Sequence, residues 1–238
     1  MPIADVALTL RETRVEAEGT RSFLFDAEGL AGVRAGQYLL VKMDVPGDPR
    51  RGSRSFTIAS ASSEPHVMIT TRMRDVSLFK GRLASLRPGD RIAGKGPLGR
   101  FVLHEGDAPA VFLAGGIGVT PFRAMIRDEI DAGREVPITL LTSDRVPTAI
   151  PFRDEMDGWA SRFGWLRIER TVTRPPASGW DGHVGRMDAA WIRDVASDLD
   201  RAIAYVAGPP GFVASIGSIL ESLHLPKDRI VGEAFIGY

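Results

Sequence analysis

The 238 residues include no cysteine, and that absence removes disulfides, thiolate zinc sites and cysteine-ligated iron-sulfur clusters together. A reducing cytosol is the plain reading. Net charge is missing as well: 30 lysines and arginines balance 30 aspartates and glutamates. No global field therefore gathers nucleic acid or anionic lipid, and any anion site has to be local. Histidine is scarce. His66, His104, His183 and His224 stand apart, with no second histidine or carboxylate at ligand spacing, so no metal site is expected. Long apolar runs are lacking too: no stretch approaches the ~18 residues that suggest a membrane span. The first residues carry Asp5, Arg11, Glu12 and Arg14, where a signal peptide needs an unbroken apolar segment. These absences describe a soluble cytoplasmic protein with neither nucleic acid nor membrane among its partners.

What is present falls into two rhythms. Up to about residue 105 the chain consists of short alternating or β-branched runs cut by turn residues: "VALTLRETRV", "RSFLFDAEG", "AGQYLLVKMDVPGDP", "RSFTIAS", "PHVMITTRM" and "GDRIAGKGPLG". That spacing predicts an antiparallel barrel or sandwich. One segment interrupts it. In "DVSLFKGRLASLRPGD", Val76, Phe79, Leu83 and Leu86 recur at roughly helical intervals, with Ser77 as N-cap and Pro88-Gly89 as the stop. From about residue 108 continuous apolar strands, "AVFLA", "ITLLT" and "AIAYVA", alternate with helical stretches, which predicts a parallel sheet covered on both faces. The join lies near "LHEGDAPA", giving domains over 1–106 and 107–238.

Two glycine turns mark the second half. In "VFLAGGIGVTPFRAMI" the strand ends at Gly115-Gly116, Gly118 follows, Thr120 reads as an N-cap and Pro121 takes the first helical position. Glycines let a ligand approach the backbone, and a helix N-terminus offers free N–H groups to phosphate. An ordinary strand-to-helix turn has the same appearance, and the ordinary G-x-G-x-x-G fingerprint is not present. A second turn, "YVAGPPGFVASI", repeats the logic at Gly208, Pro209 and Gly211. Two such turns at the carboxyl ends of parallel strands would line one crevice. In the first half, "RGSRSFTIASAS" crowds Arg51 and Arg54 against a short strand ending in hydroxyl residues, which fits either an anion site or a solvated hairpin.

In order along the chain, "RSFT", "GPLGRFVL", "GGIGVTPF", "VAGPPGF" and "EAFIGY" resemble the motifs of the ferredoxin-NADP reductase-like flavoproteins. The resemblance implies an antiparallel flavin-binding β-barrel followed by a parallel-sheet α/β NAD(P)-binding domain, with FAD and NADPH or NADH as cofactors. It implies that Arg54 pairs with a flavin phosphate, with Ser55 beside it, that Phe56 lies against the isoalloxazine, and that Thr57 offers its hydroxyl to the N5 edge. Ser77, Leu78 and Phe79 would give backbone N–H groups to the pyrophosphate, and Phe235 and Tyr238 would stack on the cofactor. Thr57 and Glu233 are the catalytic candidates by this resemblance; read from the residues alone, Glu233 is a solvated charge near the end of the sequence. The chain departs from the family where Phe56 replaces tyrosine, Thr57 replaces serine and Ala207 stands where many relatives carry cysteine.

Coenzyme choice turns on "TSDR". Ser143 and Arg145 could hold a 2'-phosphate, Asp144 could accept from a free 2'-hydroxyl, and Arg174 could touch the same half of the dinucleotide; the balance leans to NADPH. The resulting expectation is an FAD-dependent NAD(P)H oxidoreductase feeding a separate acceptor, a ferredoxin, a flavodoxin or an oxygenase component. The alternatives are a free-flavin or ferric-chelate reductase, and a flavin-binding electron-transfer subunit without turnover of its own.

Overall fold

The computed structural model describes residues 3–73 and 75–236. The chain divides into two compact units, Met1–Leu103 with Thr120–Asp131, and His104–Val119 with Ala132–Tyr238.

The first unit holds the six expected strands: β1 (Ala4–Ala17), β2 (Thr20–Glu28), β3 (Tyr38–Lys42), β4 (Ser53–Thr57), β5 (Val67–Arg72) and β6 (Arg91–Leu98). They form one sheet in the order β4-β3-β6-β1-β2-β5, with every pairing antiparallel. The sheet curls until its two ends meet. Just past β4, Ile58 bridges Ile69 of β5, and Ala59 N–H donates to Met68 O at 2.8 Å. Strand periodicity of two accounts for the core: Val6, Leu8 and Leu10 of β1 are buried while their neighbours are not. With Phe23, Phe25, Leu39, Val41 and Ile69 they form one apolar cluster.

Helix α1 (Leu78–Ala84) interrupts the strands where expected, and the Ser77 hydroxyl caps it by accepting from Lys80 N–H. Phe79 and Leu83 are fully buried, whereas Val76, ahead of the cap, is 91% exposed. The apolar spacing read in the sequence therefore begins one turn too early.

The second unit is a parallel sheet of β7 (Ala110–Gly115), β8 (Ile138–Asp144), β9 (Leu166–Val172), β10 (His183–Val184), β11 (Ile203–Gly208) and β12 (Ile230–Ala234). Its order is β10-β9-β8-β7-β11-β12. From β7 the chain steps outward through β8, β9 and β10, then returns to the other side of β7 as β11. The strand order thus reverses between β7 and β11, and ligands of open α/β sheets bind beyond the carboxyl ends at such a point. Helix α2 (Thr120–Asp131) follows β7, α3 (Arg153–Arg162) follows β8, α4 (Ala189–Val195) follows β10 and α5 (Pro210–Ser222) follows β11. Val111 and Leu113 of β7 and Ala204 and Val206 of β11 pack with Ile192 and Val195 of α4 and Ile216 and Leu220 of α5. On the opposite face Tyr205 meets Phe112 edge-on, and its hydroxyl accepts from His104 N–H at 2.9 Å.

Two elements, β10 and α4, escape the sequence reading: β10 has only two residues and can show no period, and α4 buries only Ile192 and Val195. Helix α2 brings a further difference. It is continuous in sequence with the glycine turn yet groups with the barrel unit. Arg123, 4% exposed, donates to Ala59 O at 2.9 Å and to both carboxylate oxygens of Glu64 at 2.6 and 3.0 Å. Asp128 accepts from Ser62 N–H at 2.9 Å, and Asp131 accepts from the Ser63 hydroxyl. Burial pushes the Glu64 carboxyl up, and the Arg123 pair together with Ala61 N–H and the Arg127 charge more than reverses it, leaving a net lowering. Among the described residues no helix is long and apolar enough to cross a membrane.

Candidate functional site

In the barrel unit, Arg54 and Phe56 point to one face of β4 and Ser55 to the other, as alternate strand residues must. The Arg54 guanidinium lies over the Phe79 ring at 5.0 Å, and Phe79 lies 5.9 Å from Phe56. A cation, α1's buried ring and a second ring therefore form a row along the strand. Phe56 itself is only 9% exposed and belongs to the barrel core. Ser55 is exposed and Thr57 half-buried at the strand end. Leu78 is 55% exposed at the start of α1.

A residue the sequence reading missed completes this corner. Asp48, whose side chain is 1% exposed, forms an ion pair with Arg54 through bonds of 2.8 Å from Nη1 and 2.5 Å from Nη2. The Arg54 pair, supported by Gly52 N–H and Arg50 N–H, holds the Asp48 carboxyl down at about 2 against the cost of burial. In "VPGDPRRG" an aspartate reads as a turn residue; only the fold returns it to an arginine six positions later.

In the second unit the two glycine turns meet. A Cβ on Gly118 would lie 2.1 Å from Ala207 O, one on Gly208 3.1 Å from Gly115 Cα, and one on Gly115 2.8 Å from the Phe212 ring. These three glycines are required for one turn to pack on the other. Gly116 has φ of 55°, so it needs the left-handed freedom of glycine. Gly211 differs. A Cβ there would meet nothing within 4 Å, so no packing constraint of the protein demands glycine in the first turn of α5. Pro209 caps this helix without a side-chain bond and Pro210 opens it. Neither proline has an N–H, so the first N–H of α5 belongs to Gly211. The donor set and the open space fit a phosphate approaching the backbone.

Thr120 is not the N-cap that the sequence suggests. A 3-10 turn over Gly116–Val119 runs directly into α2, and Thr120 is the first α-helical residue, 1% exposed. The extra turn moves the start of helical backbone back to Gly116.

Glu233 also differs from the solvated charge read from its residue type. It sits in β12 opposite Ala207, half-buried, and burial raises its carboxyl above the usual range. Phe235 N–H donates to Gly208 O at 2.8 Å, fixing the chain beside the second glycine turn. Tyr238 lies outside the described residues. A raised carboxyl in the fold favours the protonated form, so this group opposes folding increasingly as pH rises through the ordinary glutamate range and beyond. Glu233→Gln is therefore expected to raise the melting temperature near pH 8 and leave it unchanged near pH 4. A variant that melts alike at both values would remove the burial argument.

Ser143, next to last in β8, is half-buried, Asp144 at its end is 4% exposed, and Arg145 and Arg174 are exposed. Arg174 N–H donates to Arg145 O at 2.8 Å, so the two arginines project from adjacent backbone beyond the carboxyl ends of β8 and β9.

A small antiparallel barrel and a parallel sheet with paired glycine turns at its switch point define a dinucleotide-dependent class of two-unit protein. A family model described as an oxidoreductase NAD-binding domain matches residues 112–217. Ferredoxin-NADP reductase B of Sorangium cellulosum is 30% identical over 226 residues, covering 94% of this chain and 86% of that protein. The chain belongs to the ferredoxin-NADP reductase-like flavoprotein reductases. A flavohemoprotein of Deinococcus radiodurans is 28% identical over 97% of this chain, and the stachydrine N-demethylase reductase subunit of Rhizobium meliloti 30% identical over 91%. The chain spans 58% and 62% of the length of those two relatives. Among solved structures, the FAD/NAD-binding domain of the Vibrio cholerae nitric oxide dioxygenase superposes with a TM-score of 0.86 at 22% identity, covering 96% of this chain and 98% of that one. The Amycolatopsis cytochrome P450 reductase gives 0.85 at 23% identity, over 98% and 70%. The antiparallel barrel and parallel α/β sheet are thus a shared fold.

Proposed function

We propose that the chain is an FAD-dependent NAD(P)H oxidoreductase that passes electrons from a nicotinamide through flavin to a separate acceptor, a ferredoxin, a flavodoxin or an oxygenase component. The observation that carries this reading is the switch-point crevice, where Gly115, Gly118 and Gly208 close one turn on the other and Gly211 leaves its first-turn N–H open. The names of the reductase relatives support it, two of them being a ferredoxin-NADP reductase and a demethylase reductase subunit. Bound flavin would supply the chemistry, accepting hydride and releasing electrons singly or in pairs.

The protein's part is to bind and orient. Arg54 pairs with a flavin phosphate, backbone N–H groups of Ser77, Leu78 and Phe79 receive the pyrophosphate, and Phe56 lies against the isoalloxazine. Ser55 borders the site, and Thr57 offers a hydroxyl at the strand end. Gly116, Gly118, Thr120, Pro209 and Gly211 shape the nicotinamide-dinucleotide cradle, with Phe235 and Tyr238 as stacking partners. Glu233, its carboxyl raised by burial, lies opposite Ala207. Of the two coenzymes NADPH is the better match, because Arg145 and Arg174 are exposed together while Asp144 is buried. A 2'-phosphate adds negative charge that two arginines accept and that a 2'-hydroxyl lacks.

The test is an anaerobic absorbance titration of the purified protein with NADPH and then NADH. NADPH is expected to bleach the flavin band without any partner protein, at lower concentration than NADH. Bound flavin that neither coenzyme bleaches would defeat the reading.

A further inference from the structure

We propose that Asp48 is a positioning residue for the flavin phosphate: it grips the Nη1–Nη2 edge of the Arg54 guanidinium so that the adjacent Nε–Nη2 edge stands as a fixed two-pronged donor. The inference rests on the flavin-site reading given above.

The donor inventory of Arg54 carries the argument. A guanidinium has five N–H groups in one plane. Of the Nη1 pair, one goes to Asp48 Oδ2 at 2.8 Å and one to Ser53 O at 2.8 Å. Nη2 gives one to Asp48 Oδ1 at 2.5 Å. The donors remaining are Nε–H and the second Nη2–H, which lie parallel on the same edge, in the arrangement that matches two oxygens of a phosphate. Phe79 covers one face of the plane at 5.0 Å, and the Arg54 side chain is 13% exposed. Orientation of the remaining edge is thereby set before any ligand arrives.

Asp48 is itself built in. Its Oδ2 accepts from Gly52 N–H at 2.9 Å and Arg50 N–H at 3.2 Å, and its own N–H donates to Val45 O at 3.1 Å. Gly52 closes the loop against β3: its φ is 64°, and a Cβ would lie 1.9 Å from Met43 O. The carboxylate therefore occupies a fixed place in the loop. An arginine held this way gives up less rotamer freedom on binding than a free one, a difference of roughly three- to tenfold in affinity.

The experiment compares the full chain with Asp48→Asn, Arg54→Ala and the double variant, each stripped of flavin and titrated with FAD and with riboflavin, which lacks phosphate. Asparagine keeps an oxygen for Gly52 and Arg50 N–H, so the loop is retained while the charged grip on Arg54 is lost; circular dichroism melting checks this. Asp48→Asn is expected to weaken FAD binding roughly three- to tenfold, leave riboflavin binding unchanged, and add nothing in the Arg54→Ala background. Equal weakening of both flavins would make Asp48 a loop residue only, and unchanged or tighter FAD binding would make it a bystander or a competing anion. Either overturns the proposal. Should riboflavin bind too weakly to measure, the coupling of the two substitutions toward FAD decides. Arg54→Ala with undiminished FAD affinity would instead defeat the flavin-site reading itself.

Discussion

Valine in place of Gly118 is expected to lower kcat/KM for NAD(P)H by roughly a hundredfold or more while the protein keeps its flavin. The first atom of any side chain there would fall 2.1 Å from Ala207 O, 2.5 Å from its carbonyl carbon and 2.8 Å from Gly208 Cα. All three are backbone, which cannot rotate aside as a flexible side chain can. Relief requires the two glycine turns to separate, displacing the N–H groups at the carboxyl ends of β7 and β11 by something like an ångström, a misplacement that can cost a factor of about 10² in rate. Overpacking of this kind also costs about 1–3 kcal/mol in stability, so a melt accompanies the kinetics. The residues proposed for the flavin phosphates, Arg54 and Ser77 to Phe79, belong to the other unit, and visible absorbance of the purified variant reports whether flavin is retained. Alanine should give a weaker version of the same defect. Full activity with NAD(P)H, or loss of flavin alongside it, would mean that these turns are not the separate nicotinamide site.

The second large effect concerns stability. Arg123→Ala is expected to destabilise the protein by about 3 kcal/mol, because removing one member of a buried pair leaves the other charge uncompensated, typically at a cost of about 3–5 kcal/mol. The low end applies because the Glu64 side chain is 23% exposed while that of Arg123 is 5% exposed. Ala59 O would lose its donor as well. Adding Glu64→Gln to Arg123→Ala removes the orphaned charge and should recover part of the loss, whereas Glu64→Gln alone should not stabilise. Chemical denaturation of the four proteins measures the coupling directly. Additive effects would show that Arg123 and Glu64 do not stabilise one another.

These two sites differ in how far the sequence discloses them. Gly118 is legible because a glycine cluster in a strand-to-helix turn points to close backbone approach, and the strands around it announce themselves by continuous apolar runs; Gly211, in the same kind of turn, has no such packing need. The barrel was equally open to reading through the alternation of Val6, Leu8 and Leu10. The Arg123–Glu64 pair joins residues 59 positions apart, and no local period encodes such a meeting. Asp48 is hidden for a related reason: its type fits the turn it sits in, so nothing signals a second duty toward Arg54. Glu233 misleads because proximity to the end of the sequence suggests solvent, whereas pairing of β12 with β11 draws it into the sheet. Thr120 misleads in the opposite sense, as a perfectly good capping residue pre-empted by a 3-10 turn that begins four residues earlier.

Helix α2 has a consequence for anyone who would exchange one half of this protein for that of a relative. The backbone crosses between the units at Leu103–His104, at Val119–Thr120 and at Asp131–Ala132, so neither unit is a single uninterrupted length of chain. A graft made at the obvious linker would carry a foreign α2 against the native Ala59, Ser62, Ser63 and Glu64, and those partners would have to be recut to receive it. The transplantable piece is instead a pair of segments flanking a helix that stays behind.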